Sequence, residues 1–294
     1  MPEAWPVVDK AILFGIASAL LYGVTDFVAR FANKSSGVLA TMLWGQGFLS
    51  VLLTAAILVT QSFPRGSSLD WTLLMVSNLA VVAGTGCLYY GLAIGRLTVV
   101  SPVMASYGAV SASLAIVTGE AVTIGVAIGL ALAVTGACLA ATAGEKRRGS
   151  TRPSGWLPAV GAALLYGLGF WIQGRFSVPA FGPLPALWVY YLSATAVVAA
   201  ICMVKRQSVK PADFKSLTQI LGTAALAGGG YAALVAGQSG GNIAIVTALS
   251  AASTAVTVVL AFIFLKSKPG WQGWLGVAGV VSGVALVHLF GAAT

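Results

Sequence analysis

Predominantly apolar runs of about 20 residues recur along this chain, separated by short polar or charged gaps. Cut at the charges and turn residues, it yields ten segments: 11–32, 37–60, 71–93, 97–118, 121–143, 155–176, 184–204, 216–236, 242–264 and 271–291. About 20 apolar residues in helical form cross the hydrocarbon core of a bilayer. The longest uncharged stretch, Ser216 to Leu265, spans 50 residues. It is too long for one crossing, and Gly237-Gln238-Ser239-Gly240-Gly241 supplies a natural hairpin turn within it. The runs do not alternate apolar with polar as barrel strands do. In lipid, backbone groups must bond within their own segment, so continuous apolar runs predict helices. The first run is too long for a cleavable signal peptide, and a second span follows at once. The pattern predicts an all-α membrane protein of ten transmembrane helices.

The second half of the pattern repeats the first. Ala19-Leu20-Leu21-Tyr22-Gly23 returns as Ala163-Leu164-Leu165-Tyr166-Gly167, and Leu43-Trp44 returns as Leu187-Trp188 at the same offset of 144. Gly129 and Gly136 match Gly276 and Gly283 with equal spacing. The predicted organisation is a first five-helix repeat over 1–145, a charged linker over 146–154 and a second repeat over 155–294. Five crossings per half is an odd number, so the second copy enters the membrane from the opposite side. Many secondary transporters alternate access with inverted repeats of this kind.

Composition removes whole classes of function. Charged residues make up 8% of the chain against 58% hydrophobic, whereas soluble domains carry roughly 25% charge. Soluble enzymes and nucleic-acid binders are excluded, and the lipid bilayer is a partner. The net charge of +9 sits in the gaps. Thirteen Lys and Arg follow odd-numbered spans, among them Arg30, Lys34, Arg96, Arg147 and Lys215, against only Lys10, Arg65 and Arg175 elsewhere. The positive-inside tendency then places both termini outside the cytoplasm. Cys87, Cys138 and Cys202 are scattered through apolar stretches and suggest neither a disulfide framework nor a metal site; no cofactor is expected. A duplicated chain already holds both halves of a pathway, so a monomer is plausible.

Ten spans, two five-helix halves, Ala19 to Gly23, Val100-Ser101-Pro102 opening span four and Gly119-Glu120 closing it together resemble the drug/metabolite transporter superfamily in its EamA-type branch. The likeness covers nearly the whole chain. Within the superfamily it is most similar to bacterial exporters of aromatic and other amino acids. The resemblance implies a central cavity between the halves, efflux of small metabolites, no enzymatic activity and residence in a bacterial inner membrane, with both termini then periplasmic. Lys266 stands roughly where Glu120 does in the other half, and Thr247-Ala248 where Ser101-Pro102 do.

Polar groups within spans are the informative exceptions. Asp26 is the acidic residue lying well inside a span, and Arg30 follows four positions later, so an internal ion pair is expected; the alternative reading is a proton or cation site. Glu120, at a span boundary, reads as a cap or anchor. His288, the sole histidine, reads as packed rather than as a proton relay. With no second acid or base in view, the expectation is uniport-like efflux or coupling through a site that the residues do not identify. The remaining polar and aromatic groups are Tyr22, Trp44, Gln46, Asn78, Tyr89, Tyr90, Ser101, Tyr107, Tyr166, Trp171, Gln173, Trp188, Tyr190 and Tyr231. Ten of these, Tyr22, Trp44, Asn78, Tyr90, Ser101, Tyr107, Tyr166, Trp171, Trp188 and Tyr231, are the leading candidates to line an uncharged cavity for an amphipathic or zwitterionic solute. Pro102 removes a backbone donor and predicts a bend, and Gly228-Gly229-Gly230 predicts flexibility in the other half.

Two other classes fit parts of the sequence. Gly237-Gln238-Ser239-Gly240 and His288-Leu289-Phe290-Gly291 resemble the serine and histidine segments of rhomboid-type intramembrane proteases, with Ser239 as nucleophile. A membrane scaffold without flux is the third possibility.

Overall fold

The computed structural model describes residues 7–95, 97–142, 155–207, 209–265 and 271–291, and among them there is no strand. Ten helices follow one another. In the first half they are α1 (Val7–Ser36), α2 (Val38–Thr60), α3 (Ser68–Ile94), α4 (Leu97–Val117) and α5 (Ile124–Thr142). In the second they are α6 (Trp156–Phe181), α7 (Pro183–Lys205), α8 (Phe214–Gln238), α9 (Ile243–Phe264) and α10 (Trp271–Gly291). The long uncharged stretch divides at the expected turn, where Gly241 takes a φ of 84° that glycine adopts without a side-chain penalty.

The helices pair so that each half repeats the other's choices. α1 packs on α8 as α6 packs on α3, and α1 meets α9 as α6 meets α4. α2 lies against α7 and α5 against α10, each helix facing its own counterpart. Such reciprocal pairing is the mark of a two-fold relation between equivalent units. Five crossings per half make it an inverted repeat.

Glycine fixes the closest of these contacts. The four matched glycines meet one another at the α5–α10 seam. A Cβ on Gly136 would lie 2.6 Å from the Val280 nitrogen and 2.7 Å from the Gly276 oxygen. One on Gly283 would lie 2.5 Å from the Ala133 nitrogen. The repeated Tyr-Gly motif works similarly. Gly23 abuts Val256 of α9 while Gly167 abuts Val110 of α4, and the rings of Tyr22 and Tyr166 lie against Gly230 and Gly84. Small residues let helices approach where lipid gives no hydrophobic push. Gly228 likewise accepts the side chain of Leu49, so the glycine triplet, expected to flex, serves close packing of a continuous α8.

Two helices depart from regular form, and neither departure falls where proline was expected to act. α6 widens to a π-type turn at Gln173–Ser177, and α9 breaks at Ala252 between Ile243–Ala251 and Ser253–Leu265. α4 runs as one helix through Pro102; the side chains of Ser101, Pro102 and His288 lie outside the described residues. So do the linker, Arg96, Lys266 and the segments beyond both described ends.

The bundle has two ends. One carries the α1–α2, α3–α4 and α7–α8 connections, the other the α2–α3, α4–α5, α6–α7 and α8–α9 connections.

Candidate functional site

A cavity lies between the halves, displaced toward the α1–α2 end. Its wall comes from α1, α2, α3, α4, α6, α7, α8 and the break in α9, and its free space is about 80 Å³. That volume holds a few water molecules rather than an aromatic amino acid, so a substrate of that size requires the halves to part further.

Aromatic rings make most of the wall. Tyr166 stacks on Phe170 at 5.2 Å between ring centroids. Tyr107 meets Phe170 edge-on at 5.5 Å, Phe170 meets Tyr231 at 5.6 Å, and Tyr231 meets Tyr190 at 4.8 Å and a right angle. Offset and edge-to-face geometries are those that the ring quadrupole favours. Several hydroxyls are engaged: Tyr166 donates to Thr85 Oγ1 at 2.9 Å, Tyr107 to Ser250 Oγ at 2.9 Å and Tyr231 to Gln173 Oε1 at 2.7 Å. Tyr22, Tyr89 and Tyr191 also line the space.

Asp26 changes the character of this wall. The expected pair with Arg30 does not form: among the described residues no hydrogen bond or ion pair reaches the Asp26 carboxylate. It is 6% exposed and lines the cavity one turn from Tyr22, within electrostatic reach of Tyr89, Tyr107 and Tyr166. The passage expected to be uncharged therefore carries one carboxylate. Spacing of four places two side chains on one helical face, but it does not say that they face each other rather than a cavity.

The other candidates are distributed over the bundle. Tyr22, Tyr107, Tyr166 and Tyr231 share the wall. Trp44 is 44% exposed and donates its indole N–H to the Val209 carbonyl at 2.7 Å. Trp188 donates to Thr54 Oγ1 at 2.9 Å and packs on Phe63. Trp44 thus ties α2 to the α7–α8 connection, and Trp188 ties α7 to α2 at the opposite end. Trp171 donates to Thr118 Oγ1 at 3.2 Å at the α4–α5 end, and Tyr90 is 52% exposed on the outside. Asn78 is wholly buried and stands apart from the cavity wall. Tyr191, Thr85 and Phe170 belong to the wall but carry no repeated motif that would have singled them out.

The end away from the cavity is closed by hydrogen bonds between the halves. Ser250 joins Tyr107 and Ser18, the latter at 2.8 Å. Glu120 caps α9 from the opposite half, accepting the N–H groups of Ile243 at 3.0 Å and Ala244 at 2.9 Å. Burial pushes the Glu120 carboxyl up, while those two amides and the nearby Arg175 guanidinium favour its charged form. A carboxylate at a helix N-terminus satisfies donors that lack intrahelical partners. Ser239 sits exposed in the turn after α8 and donates to the Ala236 carbonyl at 2.7 Å, a local bond typical of a helix end.

No curated protein matches the chain. A solved structure whose title reads only "Crystal structure of protein" shares the fold, with a TM-score of 0.72 over 95% of this chain and 96% of that chain at 18% identity. The sequence profile of the EamA-like transporter family matches twice, over residues 9–142 and again over 153–289. Matched in both halves, the chain belongs to the EamA-like transporter family, membrane transporters of small molecules.

Proposed function

We propose that the protein exports amino acids, aromatic and other neutral ones, by alternating access through the tyrosine-walled cavity. The observation that carries this reading is Asp26, an unpartnered carboxylate placed among rings. An ammonium group is the complement of such a site. It gains a charge-assisted hydrogen bond from the carboxylate and attraction to the faces of surrounding tyrosines. An apolar or aromatic side chain then packs on Phe170 and Tyr166, and the wall hydroxyls are available to the substrate carboxylate. The bundle works as a monomer in a bacterial inner membrane, with both termini periplasmic. Flux is uniport-like, driven by the substrate's own gradient, and a protonophore leaves it unchanged when that gradient is held fixed. Abolition of flux by the protonophore would instead put proton coupling at Asp26, the one carboxyl in the described wall.

Cells preloaded with labelled phenylalanine test the reading. Those expressing the wild type lose label faster than those expressing the Asp26→Asn variant at equal abundance. Equal loss from both would overturn it.

A further inference from the structure

Asn78 is hidden in the closed half of the bundle, yet the repeat places it on a cavity wall. The register between α3 and α8 is set by two independent features 146 residues apart. Ser67 and Asp213 are the N-caps of the two helices, each accepting the backbone N–H three residues on, from Asp70 and Ser216. Gly84 and Gly230 receive the rings of the repeated Tyr166 and Tyr22. In that register Ser77-Asn78 corresponds to Thr223-Ala224, and both Thr223 and Ala224 line the cavity. The α3–α6 contact is likewise the counterpart of the α8–α1 contact beside the cavity.

The side chain itself points the same way. Asn78 is 0% exposed, and neither its Nδ2 nor its Oδ1 has a hydrogen-bond partner. Leaving a buried polar group unsatisfied costs about 1–3 kcal/mol, and the interior of a bilayer offers no water to relieve it. The repeat template does not demand the amide, because alanine stands at the equivalent position 224. A carboxamide that is costly in this state and absent from the template serves a different state.

Resting on alternating access by exchange of the two halves' conformations, we infer that Asn78 is a substrate-contacting residue of the opposite-facing state. When the α4–α5 end opens, α3 takes the place that α8 holds here, and Asn78 turns into the path. Its amide offers one donor and one acceptor group to the ammonium and carboxylate of the solute.

The test uses the full chain with Cys87, Cys138 and Cys202 replaced by alanine, bearing either Asn78→Cys or Ala224→Cys. A membrane-impermeant maleimide is applied to one face at a time during turnover. Ala224→Cys is expected to react from the α1–α2 end and Asn78→Cys from the α4–α5 end, each at least fivefold faster than from the other face. Phenylalanine should slow both reactions. Asn78→Ala should raise the half-saturating concentration about tenfold from the α4–α5 end, the loss of one hydrogen bond to a charged group, with less than a twofold change from the other. Reaction of Asn78→Cys from neither face, or from the α1–α2 end, overturns the inference. If Asn78→Cys fails to reach the membrane, Ser77→Cys carries the same expectation through its counterpart Thr223. Face-specific reaction without protection by phenylalanine would leave alternation standing and defeat the amino-acid reading instead.

Discussion

Replacing Asp26 by asparagine removes the one carboxyl group in the described cavity wall while keeping the volume of the side chain nearly constant. The carboxylate has no internal partner, so folding loses no hydrogen bond or ion pair. Burying a charge costs more than burying an amide, and the thermal midpoint of Asp26→Asn should equal or exceed that of the wild type. Binding is different. A hydrogen bond to a charged group contributes about 1.5–3 kcal/mol, and each 1.4 kcal/mol is a factor of about ten in affinity. Phenylalanine should therefore bind the variant roughly 10- to 100-fold more weakly. Two analogues separate the cause. Phenethylamine, which keeps the ammonium, should weaken by a similar factor. Phenylpropionate, which lacks it, should bind equally or more tightly once the like charge is gone. Calorimetric titration of the detergent-solubilised protein at neutral pH reads all three affinities. An equal change for the three compounds, or no change for phenylalanine, refutes the assignment of the ammonium to Asp26.

Three further expectations follow from named contacts. Gly136→Leu drives a side chain into the Val280 and Gly276 backbone, which cannot move aside without parting α5 from α10; overpacking costs about 1–3 kcal/mol or more, and the yield of folded protein should fall sharply by size-exclusion chromatography. Tyr166→Phe keeps the stack on Phe170 but removes the bond to Thr85, so the melting temperature should drop by the equivalent of about 0.5–1.5 kcal/mol. Glu120→Ala strips the cap from α9 at about 0.5–2 kcal/mol. It should also speed maleimide labelling of a cysteine at position 78 from the α4–α5 end; unchanged labelling would show that the cap does not help to hold that end shut.

The architecture was largely legible because lipid leaves a chain few choices: apolar runs become helices, and turns fall at polar breaks. The repeated residues were legible as equivalent but not as to role. Tyr22 and Tyr166 proved to be rings seated on Gly230 and Gly84 and exposed to the cavity. Trp44 and Trp188, repeated just as clearly, hold the edges of the α2–α7 pair. Repetition fixes where residues stand relative to each other under the two-fold relation and is silent about inside and outside. The pairing of Asp26 with Arg30 fails because helical spacing suggests a partner within the sequence, whereas a cavity is formed by helices distant in the chain. The break at Ala252 has no proline to announce it, whereas the widened turn at Gln173–Ser177 is followed by Pro179, which cannot donate to the Arg175 carbonyl four residues back. Both lie in the second half, where the Gln238 amide donates to the Phe170 carbonyl beside the widened turn.

Counterflow in proteoliposomes tests the central claim most directly. Vesicles loaded with unlabelled phenylalanine and diluted into labelled phenylalanine should accumulate label transiently, with competition by methionine and threonine and little accumulation through Asp26→Asn. Vesicles holding correctly folded wild-type protein that take up no more label than empty ones, for phenylalanine and for other neutral amino acids alike, would contradict it.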